Sequence, residues 1–369
     1  MPDAIIIGAG LAGLSAAMEL SQRDIDVLVL EKKSLPRHKV CGEYLSREVL
    51  PYFEKMGVPF PDRPVVDQFL LSTSKGRYVQ RQLPLGGVGI SRKTLDALLC
   101  EHAKENGARI EFHTKVQEVY FKNNAFHLTT AKGDRYKAQV VLSAFGKGPG
   151  WRSFSEVKDK DKAVYLGVKQ YYRYEMPEDL VVLHNFEGGY CGAVKVEDGT
   201  VDVAYMVDQA VFRRFKSTEL LEEELMHVNP FLKELFIRGE AVLERPMTIS
   251  NFQLGSKKLI EEHILYAGDA AAMIPPASGN GMAMAIWGGH FAANAMQQYL
   301  HQKCTREQME KMYRKQWKKH LSNRLLWGRQ FQRLMGTTWP AEWAMSLLKA
   351  FPSLLSSLVS LTHSKKPQL

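Results

Sequence analysis

Residues 4–32 read AIIIGAGLAGLSAAMELSQRDIDVLVLEK: three isoleucines, a glycine turn, a run of small and apolar residues, and a second β-branched stretch closed by an acid. This order predicts a strand, a turn, a helix to about Gln22 and a second strand through Val27 to Glu31, the opening of a βαβ unit. Gly8, Gly10 and Gly13 stand in GxGxxG spacing across the turn. The first permits a tight turn, the second lets a pyrophosphate approach the backbone, and the third lets the helix pack on its strand. The helix start at Leu11 and Ala12 then faces the phosphates with unpaired N–H groups and partial positive charge. Glu31, followed by Lys32, is the acid that accepts hydrogen bonds from ribose hydroxyls. A glycine turn kept only for packing accounts for neither Gly10 nor Glu31. NAD and FAD both satisfy this half of the pattern.

The chain has 369 residues, enough for two domains or one elaborate one, and an ordinary globular composition. Cys41, Cys100, Cys191 and Cys304 are scattered without CxxC spacing, which points to free thiols in a reducing compartment and to no metal site. The apolar run begins at Ala4 with no basic segment before it, so a cytoplasmic protein is expected. Of the net charge of +9, residues 301–335 carry +8, from ten Lys or Arg against Glu307 and Glu310. Such a segment suits a solvated helix face, an anionic membrane or an acidic partner; no base-reading motif accompanies it, so no nucleic acid is expected.

Farther along, SRKTLDALLCEHAKENGA from Ser91 predicts a helix stopped at Gly107. Strand-like pieces follow to Ala144, and residues 163–207 alternate strand runs with Gly, Asp and Pro turns, predicting an antiparallel sheet that residues 65–83 join. A helix is predicted over Thr218–His227 and a mixed segment to Gln253. Beyond Gly288 the pattern is helical to the end, with breaks expected at Gly336, Pro340 and Pro352.

Residues 268–285, GDAAAMIPPASGNGMAMA, follow the strand ILYA and separate the two dinucleotides. Gly268-Asp269 resembles the second flavin motif of FAD-dependent oxidoreductases, in which the Asp binds the ribityl chain that NAD lacks. In the same resemblance Gly279, Asn280, Gly281 and Met282 open a helix toward the flavin N1 and C2 carbonyl, where reduction collects negative charge. By the same resemblance Pro275 and Pro276 would hold the loop against the ring.

Over about residues 1–300 the chain resembles FAD-dependent oxidoreductases of the geranylgeranyl reductase group, which share the para-hydroxybenzoate hydroxylase-like fold with aromatic hydroxylases and flavin-dependent halogenases. The resemblance is carried by GAGLAG with Glu31, KVCGEYLS at 39–46, ISRKTLDALL at 90–99 and GDAAAMIPPASGNGMAMAI. It implies that Arg92 contacts FAD from its helix start and that the backbone near Val116 meets the adenine. It places Cys41 beside the flavin ring, as a proton donor to substrate carbon or as a small residue lining a tight loop. It places Tyr190 at the substrate cavity, although the group's YxWxFP pattern is absent after Tyr190. In SAFGKGPGWR, residues 143–152, Phe145 stands where related hydroxylases carry an Asp that helps bind both FAD and NAD(P)H, and Pro149 where they carry a Ser, which weakens a pyridine-nucleotide hydroxylase reading. The halogenase WxWxIP signature is absent.

The expected fold is α/β: a Rossmann-like FAD domain of residues 1–64, 85–160 and 254–300, an antiparallel substrate domain of 65–84 and 161–253, and C-terminal helices over 301–369. The expected chemistry is hydride transfer through flavin N5 to or from a carbon–carbon bond of an apolar isoprenoid, polyene or aromatic metabolite, with NAD(P)H as a transient donor. The alternatives are flavin-hydroperoxide monooxygenation, halogenation, and a non-catalytic lipid-escort protein, whose cofactor motifs would be eroded where these are present. The tail from Thr338, with apolar residues near helical spacing, either rests on an anionic membrane or caps the substrate domain.

Overall fold

A computed structural model describes residues 1–147, 164–253, 258–273 and 275–351. The opening stretch forms strand Ala4–Ile7, helix Leu11–Ser21 and strand Val27–Leu30. Both strands are buried at every residue, as strands covered on both faces by helices must be. Val27–Leu30 and Val140–Ser143 flank Ala4–Ile7 in parallel, pairing Ile5 with Leu28 and with Val141. The six-stranded sheet is completed by Arg109–Glu111 on one side and by Ile264–Tyr266 and Ile260–Glu261 on the other.

Helix Leu11–Ser21 has no exposed face: all eleven residues are buried, between helices Arg92–Glu105 and Gly281–Leu300 and the sheet. Small residues make this possible. A Cβ on Gly13 would lie 2.0 Å from the Gly8 carbonyl oxygen, and one on Gly289 would lie 2.1 Å from that of Ala12. Backbone therefore touches backbone at the strand–helix turn and again at the helix crossing.

Residues 65–83 do join the sheet built from 164–208, in a nine-stranded sheet that also takes in Tyr44–Ser46. One pairing differs from the antiparallel expectation: Val66–Ser72 runs parallel to Leu180–Phe186, matching Leu70 with Val182. The residues between these strands supply the long crossover that a parallel pair requires. Three further strands, Val116–Lys122, Ala125–Thr130 and Arg135–Ala138, form a small antiparallel sheet.

One face of the nine-stranded sheet packs on helices Thr218–Glu224 and Pro230–Arg238, through Val168, Val203 and Val207 against Leu221, Leu232 and Leu235. The second helix lies in the stretch expected to be mixed; Asn229 caps it and Pro230 starts it. On the opposite face Met345 and Leu348 of helix Trp339–Ala350 cover Leu71, Leu183, Tyr190 and Met206. That helix caps the sheet, with Pro340 in its first turn rather than at a break. The helical run from Gly281 is interrupted at 301–305, where Thr305 and Gln308 form a capping box that starts helix Arg306–His320, and helix Ser322–Leu334 follows. The expected break at Pro352 lies outside the described residues.

Replacing Gly289 by Val drives a side chain into the Ala12 carbonyl. Thermal unfolding followed by circular dichroism is expected to show a lower midpoint, from a loss of about 1–3 kcal/mol or more; an unchanged midpoint would show that the two helices do not meet there.

Candidate functional site

Gly8, at φ +107°, turns the chain at the end of its strand, and a Cβ there would lie 2.5 Å from the Ala144 carbonyl oxygen. Gly10 is different: a Cβ there would meet no atom of the protein within 4 Å. Packing asks for Gly8 and Gly13; only something laid against the turn asks for Gly10. Buried Glu31 accepts from the Ala9 N–H at 2.9 Å, the Lys33 N–H at 3.0 Å and Arg37 at 3.3 Å. A carboxylate has about four acceptor positions, so capacity remains for a ligand hydroxyl.

The second glycine motif comes to the same place. Gly268, at φ +62°, packs against Ala12, and Asp269 follows in a single 3₁₀ turn. Gly279, at φ +64°, releases helix Gly281–Leu300. The loop before it is pinned by the Ala277 N–H donating to Gln332 at 3.1 Å. Neither this helix nor Leu11–Ser21 has a side-chain cap, whereas Ser91, Ser217, Asn229 and Thr305 cap theirs. Two uncapped N-termini aimed into one cavity offer N–H donors and partial positive charge to an anionic group.

The cavity has a volume of about 750 Å³. Gly10, Leu11, Ala12, Glu31, Lys32, Cys41, Arg92, Tyr190, Gly268, Asp269, Pro276, Gly279, Gly281 and Met282 all line it. Gly8, Gly13, Val116 and Asn280 are not among its lining residues. Phe145 lines it and meets Tyr266 edge-on at 6.4 Å; Pro149 and the rest of SAFGKGPGWR beyond Lys147 lie outside the described residues. Among the described residues no cluster of His, Cys, Asp or Glu could hold a metal ion.

Away from the glycine turns the walls become apolar: Phe69, Leu83, Val181, Leu183, Met206, Ile249, Phe331 and Leu334. Within them the buried Tyr190 hydroxyl has no hydrogen-bond partner among the described residues, and burial pushes its pKa well up, so it stays a neutral donor. An unpaired buried hydroxyl costs about 1–3 kcal/mol unless a ligand group completes it.

Between the two regions lies the loop that carries Cys41, held by charges absent from the sequence reading. Fully buried Lys169 donates to Glu43 at 2.6 Å and to the Cys41 carbonyl at 3.2 Å, and stands 3.1 Å from Asp202. Glu43 also accepts from the Arg92 N–H at 2.7 Å and from the Tyr171 hydroxyl at 2.8 Å. Its φ of +45° is a strained conformation for a side-chain-bearing residue, kept by these anchors. Burial raises both carboxyls, Asp202 far above the usual range, against the pull of Lys169. Two carboxylates on one ammonium therefore retain a proton more readily than either would in water.

Alongside, the Arg92 guanidinium pairs with Asp96 at 2.8 and 2.9 Å and lies against the Cys41 thiol. Lys39 reaches the same Asp96; burial, then Arg92, pushes its ammonium down to about 8. The available signal was Lys169 itself, a lone charge at an inward position of VYLGVKQYYR.

Lys169→Met leaves two buried carboxyls without their cation and is expected to lower stability in urea unfolding by about 3–5 kcal/mol. Adding Glu43→Gln and Asp202→Asn should recover part of the loss. A single variant as stable as the parent would contradict the clamp.

Residues 5–194 match the family described as pyridine nucleotide-disulphide oxidoreductase. The chain is 24% identical over 351 residues to conditioned medium factor receptor 1 of Dictyostelium discoideum, covering 85% of this chain and 67% of that protein. It is 24% identical over 323 residues to digeranylgeranylglycerophospholipid reductase 1 of Methanothermobacter thermautotrophicus, covering 79% and 75%. The flavin-dependent brominase Bmp2 shares the fold, with a TM-score of 0.79 at 16% identity over 98% of this chain and 93% of that one. The family match takes in the glycine turn, Glu31, the Cys41 loop and the strands that carry Lys169 and Tyr190, over half of the chain, and the protein belongs to the pyridine nucleotide-disulphide oxidoreductase family.

Proposed function

We propose that the protein is an FAD-dependent oxidoreductase that moves a hydride to or from a carbon–carbon bond of an apolar isoprenoid, polyene or aromatic substrate. The observation that carries this is the continuity of one cavity, from Glu31 and Gly10, past Asp269 and the start of helix Gly281–Leu300, into an apolar chamber. The residues fit FAD: Gly10 leaves room for a pyrophosphate, Glu31 retains acceptor capacity for a ribose, and Asp269, in the wall of the same cavity, would accept from ribityl hydroxyls. When bound, FAD supplies a hydride donor or acceptor at N5.

The chain's own groups have distinct parts in this proposal. The N-terminus of helix Gly281–Leu300 stabilises negative charge on the reduced ring. The apolar walls take the substrate body and exclude water. The Tyr190 hydroxyl donates a hydrogen bond to the substrate's polar atom and so fixes which carbon meets the ring. The Cys41 thiol, half-buried where the two parts of the cavity meet, delivers the proton that completes addition across the double bond. Lys169 fixes the Cys41 backbone and acts as a positioning residue.

The test is anaerobic. Protein loaded with FAD and reduced by light with EDTA as electron donor is mixed with geranylgeraniol, carotenoid and phenol candidates. Reoxidation of the flavin band without oxygen, with a saturated product by mass spectrometry, is the expected result. Reoxidation only on admitting oxygen, with oxygen in the product, would replace the proposal by monooxygenation. With an active substrate, Tyr190→Phe should raise KM about tenfold, the worth of one buried hydrogen bond of about 1.4 kcal/mol. Cys41→Ala should slow turnover while FAD stays bound; unchanged turnover would remove the thiol from the mechanism.

A further inference from the structure

From Lys311 to Phe351 the chain has nine Lys or Arg and a single acid, Glu342. Arg77 pairs with that acid at 3.4 Å. Of the cations, Arg324 is spent on buried Glu48 at 2.6 Å. Arg314 pairs with Glu310 at 3.3 Å, while Lys311, Lys315, Lys318 and Lys319 are exposed on helix Arg306–His320, at spacings that form one stripe opposite buried Met309, Tyr313 and Trp317.

The next two helices expose aromatic surface. Helix Trp339–Ala350 turns Ala341, Met345 and Leu348 inward over the substrate sheet, yet Trp339 is 76% and Trp343 60% exposed, one helical turn apart on its outer side. Leu326 and Trp327 on helix Ser322–Leu334 are 52% and 40% exposed. Capping the sheet explains the inner face of Trp339–Ala350 and leaves the outer one unexplained. Trp327 also lines the cavity, which therefore reaches the surface beside this patch. Indole rings with an apolar body and one N–H donor are the side chains that settle at the headgroup level of a bilayer. Among the described residues no helix is long and apolar enough to cross a membrane, so such a contact is peripheral.

We propose that the C-terminal helices form a docking face for an anionic lipid surface. The lysine stripe supplies the attraction to acidic headgroups, worth about 1 kcal/mol per charge near the surface. Trp339 and Trp343 seat in the interface. The cavity then opens beside the lipid rather than toward bulk water.

The full chain loaded with FAD is co-sedimented with vesicles of phosphatidylcholine alone and of phosphatidylcholine with phosphatidylglycerol. No substrate is needed, so the outcome is independent of the proposed chemistry. Binding is expected to the anionic vesicles, weakened by salt, and at least about tenfold weaker to the neutral ones. Lys315→Gln with Lys318→Gln, and separately Trp339→Ser with Trp343→Ser, should each lower binding about tenfold or more while the flavin spectrum stays that of the parent. Brominated lipid should quench tryptophan emission of the parent and do so less in the Trp variant. Equal binding to both vesicle types, or to neither, overturns the proposal. So does a dimer by light scattering that becomes monomer in the Trp variant, which would give the patch to a second copy of the chain.

Discussion

Two backbone contacts set the geometry on which everything else depends. The Gly8 carbonyl occupies the space of a Cβ on Gly13, and the Ala12 carbonyl that of a Cβ on Gly289. The first presses helix Leu11–Ser21 onto its own strand; the second presses helix Gly281–Leu300 onto that helix. Because both approaches are as close as backbone allows, the N-terminal glycine turn and the Gly268–Met282 loop share one cavity although the whole substrate sheet lies between them in sequence. Gly268 against Ala12 completes the junction. A larger side chain at any of these points would separate the two halves of the site.

The rest of the cavity is built on charge. A loop that carries Cys41 past an apolar chamber has little to hold it, and the structure supplies Lys169 beneath it and Arg92 beside it. Burying such groups is costly, and the gain over a well-packed apolar alternative is small or negative. Their retention here makes sense as placement: Glu43 ties the start of helix Arg92–Glu105, strand Val164–Arg173 and the loop to one carboxylate. The strained backbone at Glu43 is held by those same partners.

Much of this was legible in the sequence because it is local. The GxGxxG turn with Glu31, the Gly268-Asp269 pair and the helix opened by Gly281 each depend on a few neighbouring residues with special backbone needs, and strand runs show by their β-branched pattern. What was not legible depends on long-range pairing. Lys169 and Glu43 are brought together by strands whose pairing no local pattern states, and the parallel match of Val66–Ser72 with Leu180–Phe186 is set by the crossover between them. The break at 301–305 was legible after all, in the Thr305-x-x-Gln308 capping signal, but the helical pattern on either side masks it. Helix Pro230–Arg238 likewise announces itself only through Asn229 and Pro230.

Gly10 separates a site built for a dinucleotide from a turn built only to pack. Its φ of −98° suits alanine, and a Cβ there meets no protein atom within 4 Å. The decisive measurement is therefore a pair of titrations on Gly10→Ala: thermal unfolding without FAD, and FAD affinity by quenching of flavin fluorescence. The predicted result is a stability within about 0.5 kcal/mol of the parent, with FAD binding weakened at least about tenfold because the pyrophosphate can no longer approach the backbone. Undiminished FAD affinity in that variant would contradict the account.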